Sequence, residues 1–443
     1  MTHDERVQAI AADVRARTAR RETVSLSKAA VSHFVPNPHD PRHSAPKVSI
    51  RDLNSILAID PAARTCVAEP GVTFVDLVRE TLKHGLVPML VPELKTITIG
   101  GAVSGCSVES LSYRHGGFHD SALEYEVVTG TGDIVICSQT HDGELFHMMH
   151  SSYGTLGILT KLTFKLIPAK PFVRMDYVTF ERFEDFRDAL LARCADPKTE
   201  FVDGIIHSKT KHVLCLGSFV DTAPHTSDYT FLKIFYKSTA TRTEDFLTTP
   251  DYFFRYDTEC HWLSRRLPLP GMETKFMRFL FGKLLLGSTN VLNWARRLRA
   301  LLKFQKHPDV VIDLFIPSNR WDAFNTWYAR DVNFYPLWIV PYRCPAPYPW
   351  LDDRYVAETN DLLYIDCAIY GLANNRPDLN YYKVFEEKVF EWRGMKALIA
   401  KNFYDEATFW KIYNRPRYSA LKARIDPHGV FKGLYEKFNF AKT

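Results

Sequence analysis

Two glycine-rich segments with few charged residues, Thr96–Gly105 and Ser151–Gly157, constrain the fold of this 443-residue chain more than any other feature. Glycine lets backbone amides approach a ligand closely, and several such amides can point at one phosphate group. Either segment alone is explained equally well as a tight turn in a β-rich domain. The sequence has no GxGxxG after a strand and no GxxxxGK[ST], so it supports neither a Rossmann site nor a P-loop.

Regular elements are expected on both sides of the first segment. Residues 64–69 (RTCVAE) predict a strand, and residues 74–83 predict a helix with Thr73 as its N-cap. Residues 124–138 contain two β-branched runs joined by a Gly-containing turn, which predicts a hairpin. The glycine-rich segments themselves are expected to be loops that connect these elements.

Composition excludes several classes of protein. Hydrophobic residues make up 46% and charged residues 24%, as in soluble globular proteins, and the length suggests two or three domains. No apolar run approaches the roughly 20 residues of a membrane span, and the N-terminus lacks the apolar core of a secretory signal. The eight cysteines are scattered without CxxC spacing, which argues against zinc and disulfides and favours a cytoplasmic protein.

Positive charge is concentrated in one stretch, residues 265–306, which holds ten Lys/Arg and one acidic residue. Since the whole chain carries +5, this stretch accounts for +9 and the remainder for −4, so the chain has a local patch and no general nucleic-acid surface. The stretch mixes Phe, Leu and Trp with basic residues, the composition of an amphipathic helix on anionic lipid. A solvated basic helix pair and a dimer surface are the alternatives.

The order of motifs narrows the fold. PExxxITIGGA, then glycines and a serine between Gly105 and Gly116, then Asp120, VVTGxG, ELF and SxGTLGILT closely resemble the FAD-binding domain of the vanillyl-alcohol-oxidase, or PCMH-type, superfamily. The resemblance implies an α+β fold, with a two-part PCMH-type FAD-binding domain and an inserted α/β cap (substrate) domain. The FAD-binding domain would span residues 1–172, the cap 173–393, and the C-terminal return to the FAD domain 394–443.

In this superfamily the two glycine-rich segments line the cofactor. The residues that the resemblance places in contact with FAD are Thr96, Thr98, Ile99, Gly100, Gly101, Gly105, Cys106, Ser112, Gly154, Gly157 and Ile158. Two departures matter. The stretch Ser25–His33 (SLSKAAVSH) lacks the glycines of the usual phosphate loop, and neither Cys106 nor His115 matches an attachment motif, so FAD is expected to be non-covalent.

A narrower resemblance covers nearly the whole chain. VPELxxITIGG, ESxSYRHGGFHD, IPAKPFV, NFYPLWIVPY and LLYID look like the delta24-sterol reductase branch, which also has relatives that saturate a methylene branch on fatty acyl chains. The tail, AKNF and IDPHGVF, is similar to the C-terminal return of the decaprenylphosphoryl-ribose oxidases, in which the lysine matching Lys401 lies beside the flavin.

Reduction of an alkene requires a hydride and a proton, and the protein must supply the acid. The resemblance favours Tyr256, Asp257, Tyr364 and Asp366 as candidates, although a lone tyrosine is more often a core residue. Asp366 lies between apolar residues, where an unpaired carboxylate is costly, so pairing with an arginine is the alternative. Lys401, in an apolar run expected to be a strand, is the candidate cation beside the flavin, and a solvent-facing lysine is the alternative.

No metal site is expected, because His147 and His150 have no matching acid or cysteine. The leading hypothesis is an FAD-dependent reductase of a C=C bond in a lipid, a sterol side chain or a methylene-branched acyl chain, with NADPH as hydride donor. The alternatives are an oxidase or dehydrogenase of an alcohol or sugar, and a flavin-binding protein without turnover. The expected partners are a lipid substrate and a membrane surface contacted through residues 265–306, with no nucleic acid. The oligomeric state stays open.

Overall fold

The computed structural model describes residues 1–30, 33, 40, 42, 44–230, 232–266, 271–297, 309–359 and 362–439. Parts of two predicted features, the phosphate stretch at residues 31–32 and the basic patch at 267–270 and 298–306, lie outside these residues. The strands are β1 Ser25–Ser27, β2 Lys47–Ser49, β3 Ile56–Asp60, β4 Thr65–Ala68, β5 Leu86–Pro88, β6 Ala122–Val128, β7 Ile134–Ser138, β8 Ile158–Pro168, β9 Phe172–Phe180, β10 Phe201–Ser208, β11 Lys211–Val220, β12 Glu244–Thr248, β13 Val310–Pro317, β14 Leu337–Arg343, β15 Leu363–Leu372 and β16 Met395–Lys396.

Helices lie between and around these strands. They are α1 His3–Ala19, α2 Phe74–Leu82, α3 Ile99–Gly105, α4 Ser112–His115, α5 Gly143–Met149, α6 Phe183–Ala195, α7 Phe235–Ser238, α8 Thr249–Phe253, α9 Lys275–Leu285, α10 Ser288–Arg297, α11 Trp321–Trp327, α12 Asp353–Ala357, α13 Tyr381–Glu391, α14 Glu406–Ile412, α15 Arg415–Ile425 and α16 Leu434–Phe438. Short 3₁₀ turns cover Phe118–Ser121, Leu263–Arg266 and Ser318–Arg320, and a π turn covers Tyr328–Val332. In the described part of the chain, no helix has the length and apolar character needed to cross a bilayer.

The first large sheet has the order β3-β4-β8-β6-β7, with β5 also paired to β8. The predicted hairpin is confirmed as β6 and β7, which pair antiparallel from Glu124–Ser138 to Val128–Ile134. The predicted strand and helix at its edge are also confirmed. Helix α2 begins as expected, because Thr73 Oγ1 accepts a hydrogen bond from the Asp76 amide at 3.3 Å.

The second large sheet is antiparallel, with the order β12-β9-β11-β10-β14-β15-β13-β16. Successive residues of a strand point to opposite faces, so its central strands divide into two sets. Ile339, Ile365 and Ile312 belong to one hydrophobic cluster, whereas Val340 and Tyr364 belong to another that also contains residues of the first sheet. One face of the second sheet therefore packs against the domain that carries the glycine-rich segments.

Two predicted local structures are wrong. Most of the first glycine-rich segment forms helix α3 and is not a loop, because Thr98 caps it and its carbonyl accepts from the Ala102 amide. The apolar run that contains Lys401 (KALIAKNF, residues 396–403) is predicted to be a strand, but only its first residue, Lys396, belongs to one. Beyond that point the amide of Leu398 donates to the Tyr153 hydroxyl, at 2.8 Å, so this backbone bonds to a side chain and does not continue a ladder.

The domain division at residues 172/173 and 393/394 stays a prediction. Strands of the first sheet come from residues 56–168 and those of the second from residues 172–396, which is compatible with it. All eight cysteines have free thiols in the structure.

Candidate active site

Backbone hydrogen bonds hold the two glycine-rich segments side by side. The Ser151 amide donates to the Val103 carbonyl at 3.1 Å, and the Tyr153 amide donates to the Ser104 carbonyl at 2.7 Å. The segments are separated by about 50 residues of sequence, yet they form one continuous surface. Their predicted association around one ligand is therefore geometrically feasible.

Adjacent glycines in the first segment face different surroundings. A Cβ added to Gly100 would lie 2.4 Å from Pro70 Cβ, so Gly100 is required by close packing inside the protein. A Cβ added to Gly101 would meet only Thr98 Oγ1 at 3.2 Å and Lys28 Nζ at 4.0 Å. The space above Gly101 is open and has a lysine on its far side.

Lys28 is the cation nearest to this open space. Burial lowers the pKa of its amine, and it makes no hydrogen bond or ion pair within the described part of the chain. Burial and the Lys28 charge also lower the pKa of His33 to about 4, so this imidazole is neutral at physiological pH. His33 Nε2 lies 3.2 Å from Thr96 Oγ1, which links the predicted phosphate stretch to the first glycine-rich segment.

The second segment contains unsatisfied polar groups. The hydroxyls of Ser151 and Ser152 are buried and have no hydrogen-bond partner, which is unusual for buried polar atoms. Gly154 has a positive φ of 68°, which favours glycine, and an added Cβ would lie 3.7 Å from Lys437 Nζ. Burial and the charge of Arg42 lower the pKa of Lys437 to about 7.

A small cavity opens where α3 ends, and the atom-free space of about 360 Å³ around it includes open solvent. Cys106 lies at its edge with a positive φ of 57°, and burial raises the pKa of the thiol to about 12. The cavity is lined by Cys106, Ser151, Tyr153, Phe315, Tyr342, Trp350, Met395, Lys396, Ala397 and Tyr413. Aromatic and apolar walls of this kind suit a flat ring system.

Asp366 lies on the sheet face beside this cavity. On β15 it pairs across the sheet with Phe315 on one side and Val340 on the other, and Phe315 lines the cavity. Asp366 is 1% exposed, and its Oδ1 atom has no hydrogen-bond partner. Burial, followed by the charges of Asp313 and Glu93, raises the pKa of Asp366 well above its ordinary value. The alternative of an arginine partner for Asp366 does not occur among the described residues.

A second carboxyl group, Asp313, is on the same face. Asp313 lies two residues before Phe315 on β13, diagonal to Asp366, and accepts a hydrogen bond from the Tyr370 hydroxyl. Burial raises the pKa of Asp313 to about 6, with a further contribution from the negative charge of Glu93.

Glu93 and His261 complete this cluster. His261 Nε2 lies 2.8 Å from Glu93 Oε1, and the His261 ring centroid lies 4.4 Å from that of Tyr370. Burial opposes ionisation of Glu93, but the charge and hydrogen bond of His261 outweigh it and lower the pKa of Glu93. Glu93 is therefore a fixed negative charge beside Asp313.

Three other predicted site residues already contact neighbouring residues of the protein. The Tyr256 hydroxyl donates to Asp203 Oδ2 at 3.1 Å, within a buried network. Asp257 Oδ1 accepts from the Lys95 amide at 2.9 Å and from the Ser288 hydroxyl at 2.6 Å. Tyr364 is buried and pairs with Tyr342 across the sheet.

Most of the other predicted FAD contacts are buried. Ser112 Oγ accepts from the Glu109 amide at 2.9 Å, and Gly105 would place a Cβ 3.8 Å from the Tyr153 ring. Gly157 packs against Val127, and Ile158 begins β8 in the core. Ile99 is likewise buried.

Two lysines of the C-terminal segment differ in position. Lys396 lines the cavity and forms a buried ion pair with Glu386. Lys401 is half-buried, and its Nζ lies 5.5 Å from the Phe403 ring centroid. Lys401 does not line the cavity, and its role beside the flavin stays a prediction.

The statement that His150 has no matching acid is wrong. Ligand atoms of His119, Asp120 and His150 lie within 4.8 Å of one another, because the turn Phe118–Ser121 places two of them beside α5. Asp120 Oδ2 already accepts hydrogen bonds from the Gly117 amide, at 2.7 Å, and from the Tyr348 hydroxyl, at 2.6 Å. The sequence gives no sign of this grouping, since its members come from separate segments.

Helix α9 exposes an apolar face. Its buried Arg278 forms an ion pair with Glu259, while Phe276 and Phe279 are 69% and 68% exposed. Leu280, Phe281 and Leu284 are exposed as well. The helix that follows is anchored at the site, because Ser288 bonds to Asp257 and lies 3.4 Å from Thr96 Oγ1. This exposed face therefore lies on a hairpin that reaches the first glycine-rich segment.

Comparison with known proteins agrees with this geometry. Residues 32–138 match the family model described as FAD binding domain, and this range includes α3 and Cys106. The chain is therefore an FAD-dependent oxidoreductase with a PCMH-type FAD-binding domain in an α+β fold, as the motifs predict.

The chain is also similar, over most of its length, to Delta(24)-sterol reductases. The chain is 22% identical to Delta(24)-sterol reductase from Arabidopsis thaliana over 474 residues, which cover 98% of this chain and 84% of the relative. It is 25% identical to Delta(24)-sterol reductase from Homo sapiens over 410 residues, which cover 87% of this chain and 76% of the relative. It is 25% identical to the Delta(24)-sterol reductase homolog dhcr-24 of Caenorhabditis elegans over 428 residues, which cover 89% of this chain and 79% of the relative. The predicted similarity to the delta24-sterol reductase branch is confirmed.

Proposed function

We propose that this protein is an FAD-dependent reductase of a C=C bond in a lipid, with NADPH as the electron donor. The observation that carries the proposal is Asp366, a buried carboxyl group with an unpartnered oxygen on the sheet face beside the cavity. The similarity to Delta(24)-sterol reductases supports a sterol side chain as substrate, and a methylene-branched acyl chain is the second candidate.

The residues present fit FAD. Lys28 and the open space above Gly101 suit an anionic diphosphate, and the aromatic cavity suits a flat apolar ring. The unpartnered hydroxyls of Ser151 and Ser152 offer hydrogen bonds that the protein itself does not satisfy. Bound FAD supplies the transfer of a hydride from NADPH to the alkene. We further propose that FAD is held without a covalent bond, since burial keeps the Cys106 thiol protonated.

Asp366 is assigned the role of acid. A carboxyl group acts as a proton donor only if it is protonated at the working pH, and burial raises the pKa of Asp366 in the required direction. One hydride and one proton together convert the alkene into two saturated carbons, which balances the reaction. After the proton leaves, Asp366 is a carboxylate that must be protonated again before the next turnover.

An anaerobic titration tests the class of reaction. Purified protein is expected to be yellow, to release FAD on denaturation and to lose its visible flavin absorbance on addition of NADPH. Loss of absorbance only with an alcohol or sugar would identify an oxidase or dehydrogenase. No loss with either would leave a flavin-binding protein without turnover and would contradict the proposal.

Product analysis tests the substrate. The reduced protein is supplied with a sterol that carries a side-chain alkene, and in parallel with a fatty acyl chain that carries a methylene branch. Mass spectrometry should show a gain of two hydrogens in one of them. Lipids that co-purify with the protein provide an independent indication of the natural substrate.

We also propose that a cytoplasmic pool of this protein contacts anionic membranes through residues 265–306. Exposed Phe276 and Phe279 on α9 can enter the headgroup region, and the basic residues of the stretch other than the buried, ion-paired Arg278 attract anionic lipid. Each Lys or Arg near such a surface contributes on the order of 1 kcal/mol. Because a lipid substrate must leave a bilayer to reach the cavity, contact here shortens its path.

Co-sedimentation with anionic liposomes at low salt tests this contact. Reversal of Arg296, Arg297 and Arg299 to glutamate should lower liposome binding and activity on membrane-embedded substrate, but should leave turnover of a short soluble analogue unchanged. Equal loss on both substrates would mean that these arginines stabilise the cap. No binding by the unaltered protein would reject the membrane contact.

A further inference from the structure

Asp366 is not an isolated acid, because a second titratable carboxyl group faces the same space. Asp313 is half-buried, whereas Asp366 is 1% exposed, and the two lie diagonally on neighbouring antiparallel strands. Diagonal positions of this kind place Cα atoms about 7–8 Å apart, within reach of direct or water-mediated proton exchange. Asp313 is also the more exposed of the two to solvent.

We infer that Asp313 is the residue that returns a proton to Asp366 after each turnover, and that Glu93 sets the charge state of Asp313. This inference rests on the proposed function, since it assumes that Asp366 donates a proton to substrate. A proton moves from Asp313 to the Asp366 carboxylate, and Asp313 then recovers one from solvent.

The surroundings of Asp313 favour such a role. The Tyr370 hydroxyl donates to Asp313 Oδ1 and fixes its orientation, which also favours the carboxylate form. His261 acts in the same sense through its charge, whereas Glu93 and burial favour the protonated form. The charged or titratable groups that face Asp313 among the described residues include Glu93, His261, Tyr370, Asp366 and Tyr153.

Burial and nearby negative charge also raise the pKa of Asp366. Burial and the charges of Asp313 and Glu93 all favour its protonated form, and only the Leu314 backbone amide opposes them. These surroundings favour a proton on Asp366, and the diagonal position of Asp313 places a second carboxyl group within reach to replace that proton once it is lost.

A comparison of first and repeated turnovers tests the inference. Asp313→Asn cannot return a proton, so steady-state reduction of a side-chain-unsaturated sterol should slow by about 10- to 100-fold. The first turnover of pre-reduced enzyme should be nearly unchanged, because Asp366 is already protonated. Asp366→Asn should slow both. Equal slowing of both phases by Asp313→Asn would overturn the inference and place Asp313 in the chemical step.

The pH profile provides the test of Glu93. Steady-state reduction should decline above a pH near 6, where Asp313 loses its proton. Glu93→Gln removes a negative charge but keeps a hydrogen-bonding side chain, so it should move this decline to lower pH. An unchanged profile in Glu93→Gln would contradict the role given to Glu93.

Infrared spectroscopy of the FAD-loaded protein tests the proton positions without turnover. The unaltered protein at neutral pH should show the carbonyl stretch of a protonated carboxyl group, lost in Asp366→Asn and shifted in Asp313→Asn. Absence of this band would overturn the inference. A band present in a protein that reduces no alkene would contradict the proposed function alone, which keeps the two failures distinguishable.

Discussion

The glycine-rich surface and the carboxyl-bearing face of the second sheet approach the same cavity but are built in different ways. The first is made of two contiguous segments whose glycines can be recognised in sequence, and the match to an FAD binding domain covers α3. The second is assembled from Glu93, His261, Asp313 and Asp366, which only strand pairing and packing bring together. The proposed cofactor site can thus be recognised from local sequence, whereas the proposed acid cluster depends on tertiary structure.

The largest effect is expected at Gly101. Gly101→Val should abolish FAD retention, because its side chain would fill the open space between Thr98 and Lys28. Flavin absorbance and equilibrium binding of added FAD measure the effect. Gly100→Ala is the matched variant, since its Cβ would collide with Pro70 and should lower the melting temperature.

These two variants distinguish loss of the space for FAD from loss of packing inside the protein. If Gly101→Val unfolds the protein as Gly100→Ala does, or if it retains FAD, the assignment of this space to the cofactor is wrong. Gly143→Ala, where an added Cβ meets only a carbonyl at 3.8 Å, should leave both stability and flavin content unchanged.

The next effect concerns the acid. Asp366→Asn should retain FAD and slow alkene reduction by about 10²- to 10⁴-fold, the usual contribution of a general acid. Asp257→Asn is the control, because its amide oxygen can still accept from the Lys95 amide and the Ser288 hydroxyl. A comparable loss of alkene reduction in Asp257→Asn would contradict the assignment of Asp366 as the acid and favour Asp257, which bonds to the first residue of α10.

The resemblance made Asp366 a candidate, and its position between apolar residues is unusual for a carboxylate. The same pattern surrounds Asp313 in VVIDLFIP, and it was missed because nothing local joins the two. Lys28 was also missed, since the stretch SLSKAAVSH lacks the glycines by which a phosphate loop is recognised. A lysine among small residues was the available signal. Helix α2 and the hairpin were predictable because caps and alternation act over a few residues.

A smaller effect is expected at Lys401. Lys401→Ala should keep the fold and most FAD but slow flavin reduction about tenfold, equivalent to about 1.4 kcal/mol in the barrier. Stopped-flow absorbance with NADPH measures it. Lys396→Ala should differ, because it leaves Glu386 buried without its partner and should destabilise the protein by about 3–5 kcal/mol. Unaltered reduction kinetics in Lys401→Ala would show that this lysine only faces solvent.

The smallest effect is expected on α9, whose exposed apolar side chains belong to neither surface of the comparison. Replacement of Phe276 and Phe279 by serine should weaken liposome binding several-fold, because each loses apolar area that enters the headgroup region. Flavin content and turnover of a soluble substrate should not change. Oligomerisation that disappears in this variant would instead assign the exposed face to a second copy of the chain.

The contacts of the C-terminal residues have a consequence for biosynthesis. The Val24 amide donates to the Val430 carbonyl at 2.9 Å, the Gly130 amide to the Ile425 carbonyl at 2.8 Å, and Lys437 to the Tyr153 carbonyl. A ribosome releases both glycine-rich segments long before these partners emerge. The nascent chain therefore carries every recognisable cofactor motif without being able to close around it, and FAD should be acquired only after residues 425–437 have been made. A premature stop codon shortly before residue 425 should accordingly yield a colourless product.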